Sequence, residues 1–194
     1  MRFGFRPLRR TDFALLAQWL AAPHVQPWWR EEHDLRAVEA RYGPGVDGVE
    51  PTEVFVVEGD GQPIGLIQRY RLRDHPEWER ALAVAAVPSD AAGVDYLIGD
   101  VTLIGRGLGA EILNRFVEDT FERHRDLSAV VAAVQQANRR SWQALEKAGF
   151  QRTWAGMLDS DDPSDEGPSY VYLRHRPNPW QHRPARRRTR PART

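Results

Sequence analysis

The segment that most constrains this chain is Asp95-Tyr96-Leu97-Ile98-Gly99-Asp100-Val101-Thr102-Leu103-Ile104-Gly105-Arg106-Gly107-Leu108-Gly109, a short apolar strand running through a glycine-rich turn into an amphipathic helix. At the start of a helix the first N–H groups lack intrahelical acceptors and the dipole is positive, so the turn attracts phosphate. Gly105, Gly107 and Gly109 stand at alternate positions and remove the side chains that would keep a pyrophosphate from the backbone. Two other phosphate loops fit poorly. Gly107 is followed by Leu108 and Gly109 rather than Lys and Ser/Thr, and Ala110-Glu111-Ile112 supplies no third glycine for a dinucleotide fingerprint.

A second segment, Asn138-Arg139-Arg140-Ser141-Trp142-Gln143-Ala144-Leu145-Glu146-Lys147-Ala148-Gly149-Phe150, follows the apolar run from Leu127 to Val134. Together the two segments resemble the GNAT acyltransferase superfamily, over roughly Phe3 to Leu173. The resemblance implies an α/β (α+β) fold in which a central, mixed, mostly antiparallel sheet is flanked by helices. Two neighbouring strands, around Asp95 and around Val131, splay apart and hold an acyl-pantetheine between them. It implies acetyl-CoA (coenzyme A) as cofactor, with pantetheine contacts from the backbone of Leu97, Ile98 and Gly99. Gly105, Arg106, Gly107, Leu108, Gly109 and Ala110 would cradle the pyrophosphate, and Asn138 would bond the arm. There are two departures. Ile104 stands where the superfamily often has Gln or Arg, with Arg106 offering a compensating charge. Leu145 stands where much of the superfamily has a tyrosine acid, leaving solvent, the incoming ammonium or another residue such as Tyr96 to protonate the thiolate.

Three N-terminal segments, His24 to Trp29, Pro63 to Tyr70 and Gly93 to Leu97, narrow the resemblance to aminoglycoside 6′-N-acetyltransferases. N-hydroxylysine acyltransferases of siderophore synthesis share the same overall pattern and are the main alternative. A third reading, of a different class, is a non-catalytic coenzyme A sensor whose arginine-rich tail docks on nucleic acid.

Acyl transfer to an amine requires a neutral nitrogen, and an alkyl ammonium of pKa ~10.4 costs ~4 kcal/mol to deprotonate at pH ~7 without help. Asp95 is the first candidate for that proton, because the resemblance places an acid in this strand near the reactive centre; its other readings are an acid that only binds a substrate ammonium, or a strand-end charge facing water. A polycationic acceptor calls for a cleft lined by carboxylates with aromatic walls. Trp28, Gln68, Tyr70, Asp74 and Glu77 are candidates for that cleft, and Glu166 matches an acid of the aminoglycoside enzymes. Asp161 and Asp162, within five acids in eight residues, read instead as a solvated loop. Another family acid aligns with Ala133, so part of the cleft must come from other residues. His24 and His33 are not spaced like metal ligands, and no metal is assigned.

The formal net charge of zero conceals a segregation, since the first 173 residues hold 19 basic and 27 acidic groups whereas eight arginines and no acid follow from Arg174. An acidic domain favours a cationic small molecule over nucleic acid or an anionic membrane. A length of 194 residues suits one catalytic domain, expected over 1–176, with a basic tail over 177–194 too poor in apolar residues to order itself. Without cysteine there is no disulfide, thiolate metal site or cysteine nucleophile. No apolar run approaches the roughly 20 residues that cross a bilayer, and the expectation is a soluble cytoplasmic monomer or homodimer.

Apolar periodicity predicts a strand from Phe3 to Leu8, a helix after Thr11, and a second helix from Glu31 to Tyr42 ended by Gly43-Pro44-Gly45. Val54 to Val57 and Ile64 to Tyr70 form a hairpin about Gly59-Asp60-Gly61, with a partner strand expected at Ala81 to Val87. Val94 to Ile98 and Leu127 to Val134 are strands, Asn138 to Ala148 a helix closed by Gly149, and Phe150 to Trp154 and Tyr170 to Leu173 late strands.

Overall fold

The computed structural model describes residues 1–177; the tail expected to be disordered falls, from residue 178 onward, outside the described residues. Its strands are β1 (Phe3–Pro7), β2 (Glu53–Gly59), β3 (Gln62–Arg71), β4 (Ala92–Ile98), β5 (Ala129–Gln135), β6 (Gln151–Met157) and β7 (Pro168–His175). The helices are α1 (Phe13–Leu20), α2 (Gln26–Trp29), α3 (Leu35–Val46), α4 (Pro76–Leu82), α5 (Leu108–Arg123) and α6 (Arg139–Lys147). The strands form one seven-stranded sheet in the order β1-β2-β3-β4-β5-β7-β6, antiparallel except between β4 and β5.

Strand alternation sorts side chains onto two faces. On one, Ile67, Val94 and Val130 pack against the apolar stripe of α5, Ile112, Leu113, Phe116 and Val117, and against Leu145 of α6. On the other, Leu66 and Leu97 pack under Leu16, Leu20 and Val38 of α1 and α3, and Val131 and Val171 pack under Leu82 of α4.

The feature that positions a site is where β4 and β5 part. Their ladder holds only at Ala92↔Val130 and Gly93↔Val131, and the strands then diverge. The Gly99 N–H donates to the Ile64 carbonyl at 2.8 Å on the β3 side. Alternation therefore turns the amides of Leu97 and Asp95 toward β3 and those of Tyr96 and Ile98 toward the open edge. The Ile98 carbonyl lies on that edge too, accepting from His24 Nε2 at 2.9 Å.

Two elements differ from expectation. Ala81 to Val87 is no strand; it completes α4 and a 3-10 turn at Ala83–Ala85. Pro76 in the first turn and acids at Glu77 and Glu79 favour a helix there, and the antiparallel partner of β3 is β4 itself, with Gly65 opposite Ile98. The helix expected from Glu31 begins at Leu35, because the Asp34 side chain accepts from the Arg36 and Ala37 N–H groups at 2.8 and 2.9 Å. It also runs through Pro44 to Val46, the glycines and proline forming its last turn rather than ending it.

Gly99 is required for packing. A methyl group there would lie 2.2 Å from the Trp19 indole. Gly99→Ala is expected to destabilise the domain by about 1–3 kcal/mol through overpacking, read as a lower urea midpoint.

Candidate active site

Two cavities meet where the strands splay. The first, of about 260 Å³, runs between β4, the glycine turn and α6. Leu97, Ile98, Gly105, Gly107, Leu108, Gly109, Ala110 and Asn138, all expected at a cofactor, line it, together with His24. Gly105 and Gly107 adopt φ of 79° and 80°, values that L side chains adopt with strain. Gly107 is the N-cap of α5 and no side chain caps that helix, so its first-turn amides find no acceptor among the described residues. A methyl group at Gly109 would come within 3.2 Å of the Tyr96 hydroxyl and 3.4 Å of Ala144 Cβ, so the start of α5 abuts the middle of α6.

Of the other expected cofactor residues, Arg106 is exposed off the cavity lining, and the Gly99 amide is occupied by Ile64. Asn138 caps α6, its Oδ1 accepting from the Ser141 N–H at 3.3 Å.

The second cavity, of about 220 Å³, lies on the sheet face beneath α2, α3 and α4. Trp28, Gln68, Tyr70, Glu77 and Asp95 line it as expected. Gln68 and Asp95 are cross-strand neighbours, and Gln68 Nε2 donates to Asp95 Oδ2 at 3.0 Å. Gly93 lets Tyr70 lie across β4, since an added methyl group would sit 2.3 Å from its ring. Trp28 and Trp29 are both half-buried; Trp29 Nε1 donates to the Tyr42 hydroxyl at 3.1 Å and that hydroxyl donates to Glu31 at 2.7 Å.

Asp74 and Glu166 lie off this lining. Asp74 is exposed near Arg73, and Glu166 is exposed in an ion pair with Arg30. The acids that reach the cavity from the acidic loop are Asp162 and Asp165. Asp162 Oδ1 accepts from the Ser164 N–H at 2.8 Å, and Gln135 Nε2 donates to the Ser164 carbonyl at 2.6 Å, which ties the loop to the end of β5. Glu31 and Glu50 add two further carboxylates, and Arg41, 3.7 Å and 3.4 Å from them, is the cation among the lining residues.

Burial pushes the Asp95 carboxyl up to about 6; the nearby Asp162 charge adds to the rise and the Gln68 hydrogen bond opposes it. Burial likewise lifts Asp165 to about 6, aided by Asp162 and Asp95 and opposed by Ser160. Near neutral pH such a carboxylate is ionised yet readily takes a proton, which suits both general-base work and ammonium binding.

Trp28, Trp29, Tyr96, Asn138 and Ser141 line both cavities. An elongated ligand in the first thus reaches the acids of the second. The pattern of the GNAT acetyltransferase domain matches residues 9–156. This chain belongs to the GNAT acetyltransferase family. An aminoglycoside N(6′)-acetyltransferase type 1 of Klebsiella pneumoniae is 28% identical over 152 residues, covering 76% of this chain and 73% of that protein. Among solved GNAT structures, the coenzyme A complex of the aminoglycoside acetyltransferase AAC(6′)-Ib superposes with a TM-score of 0.77 at 25% identity, covering 90% of this chain and 95% of that one. Its complex with coenzyme A and kanamycin superposes with a TM-score of 0.76 over the same shares of the two chains, again at 25% identity. The β4–β5 splay lies between the strands around Asp95 and Val131, where the sequence resemblance put it. No helix among the described residues is long and apolar enough to cross a membrane.

Proposed function

We propose that this chain acetylates the 6′-amine of an aminoglycoside, using acetyl-coenzyme A. The observation that carries the reading is the junction of a phosphate-suited cavity with an acid-lined one at the β4–β5 splay. Bound acetyl-coenzyme A supplies an acetyl group activated as a thioester.

The residues divide the work. Free amides at the start of α5 hold the pyrophosphate, the Tyr96 and Ile98 amides face the pantetheine arm, and Asn138 lies beside it. Asp162, Asp165 and Glu77 bind ammonium groups of the acceptor, with Trp28 as a wall. Asp95, oriented by Gln68, takes the proton from the attacking amine. The catalytic domain is taken to span residues 1–176, a boundary supported by Arg176, which donates to the carbonyls of Leu127, His124 and Phe121. Acetyl-coenzyme A is a cytoplasmic metabolite, and the enzyme acts there.

A thiol-release assay with acetyl-coenzyme A and a panel of amines tests the reading. Turnover is expected with kanamycin and tobramycin, and turnover with N-hydroxylysine alone would transfer the assignment to siderophore synthesis. Truncation after Arg176 is expected to leave kcat within about twofold, the scale of a distant surface change. A protein that binds coenzyme A, shows no turnover, and loses nucleic-acid binding on truncation would be a sensor instead.

A further inference from the structure

Several arginines around the fold are held by acids, among them Arg6 by Asp12, Arg10 by Asp47, Arg69 by Asp119, Arg71 by Asp126 and Arg123 by Asp119. Arg140 and Lys147 of α6 are exposed and have no ion-pair partner among the described residues, and both line the cofactor cavity. Lys147 is the only lysine in the sequence. With Gln143 and Ala144 they repeat at three- and four-residue spacing, so they share one helix face.

That face has a direction. Its N-terminal end, Asn138 and Ser141, lines both cavities, and its middle, Ala144, abuts the start of α5. Lys147 lies about 14 Å along the axis from Asn138 and lines the cofactor cavity alone. A ligand whose acyl end reaches Asn138 and whose pyrophosphate sits on α5 therefore has its nucleotide end at Lys147. The α5 amides account for the pyrophosphate. Coenzyme A carries one more phosphate, a monoester on the ribose.

We propose that Lys147, with the Gln143 side chain beside it, binds the ribose 3′-phosphate of the cofactor, and that Arg140, one turn before Ala144, faces the pyrophosphate. The inference rests on the acetyl-coenzyme A reading of this cavity. It makes α6 a reader of the nucleotide end, selecting coenzyme A over its dephospho form.

Titration calorimetry with coenzyme A and with dephospho-coenzyme A, at low salt, tests it on the full chain. The wild type is expected to prefer coenzyme A by about tenfold, as for one charge-assisted phosphate contact. Lys147→Gln should bind the two within about twofold of each other, whereas Arg140→Gln should weaken both by a similar factor and keep the preference. Adenosine 3′,5′-bisphosphate should compete better than adenosine 5′-phosphate against the wild type and no better against Lys147→Gln. Both positions are exposed, so circular dichroism is expected to show unchanged folding. Equal wild-type affinity for the two coenzymes, or a preference that survives Lys147→Gln, would overturn the assignment. Failure of either coenzyme to bind the folded wild type would overturn the cofactor reading itself, which is a different result.

Discussion

Asp95→Asn is expected to lower kcat for an aminoglycoside by about 10²–10⁴-fold while leaving the affinity for coenzyme A unchanged. The substitution keeps shape and the contact with Gln68 but removes the carboxylate proposed to accept the amine's proton. The wild-type rate should rise with pH through about 6, the value to which burial lifts this carboxyl, because the base works only when ionised. Asp95→Asn should lose that rising limb.

Stability runs the other way. Between the ordinary carboxyl value of 3.8 and about 6 the folded protein binds the Asp95 proton more tightly than the unfolded chain, so this group's contribution to stability falls as pH rises through that window. At pH 8 the Asn variant should therefore unfold at a urea concentration no lower than the wild type, which separates lost chemistry from lost folding. A fall in KM performance alone, with kcat preserved, would mark Asp95 as an ammonium binder and not the base.

The paired change Asp162→Asn and Asp165→Asn is expected to raise KM for kanamycin by about 10²-fold, from two charge-assisted contacts of ~1.5–3 kcal/mol each, discounted for the partial exposure of the loop. KM for acetyl-coenzyme A should stay the same, since neither residue lines the cofactor cavity. Glu166→Gln, which leaves both aspartates in place and removes only an exposed partner of Arg30, should change KM for kanamycin by less than about threefold. Steady-state kinetics with each substrate varied in turn gives all three values.

These residues also mark how far the sequence carries. The glycine turn into α5 was legible because its signal is local: Gly105 and Gly107 take positive φ through their own backbone. The β4–β5 splay followed from resemblance, not periodicity, since apolar runs do not tell a paired edge from an open one. Ala81 to Val87 misled because a short alanine- and valine-rich run fits a buried strand or a helix equally, and Pro76 with its following acids, the deciding signal, lies upstream of it.

The acceptor lining was the least legible part. Five acids in eight residues announce charge, yet which of them faces the cavity depends on Gln135 holding Ser164 from another strand, while Glu166 is engaged by Arg30, just after α2. Both contacts join positions far apart in sequence. Asp162 and Asp165 thus take the cavity that Glu166 was expected to serve, and Glu31 and Glu50 join them from α3's flanks.

The central claim is that an acetyl group crosses from one cavity to the other at the β4–β5 splay. Two-dimensional NMR of kanamycin recovered after turnover with carbon-labelled acetyl-coenzyme A tests it most directly. The account predicts a single labelled amide on the 6′ nitrogen, with one thiol released per acetyl transferred. Unmodified kanamycin, with the protein folded and coenzyme A bound, would contradict it, as would label on any other nitrogen.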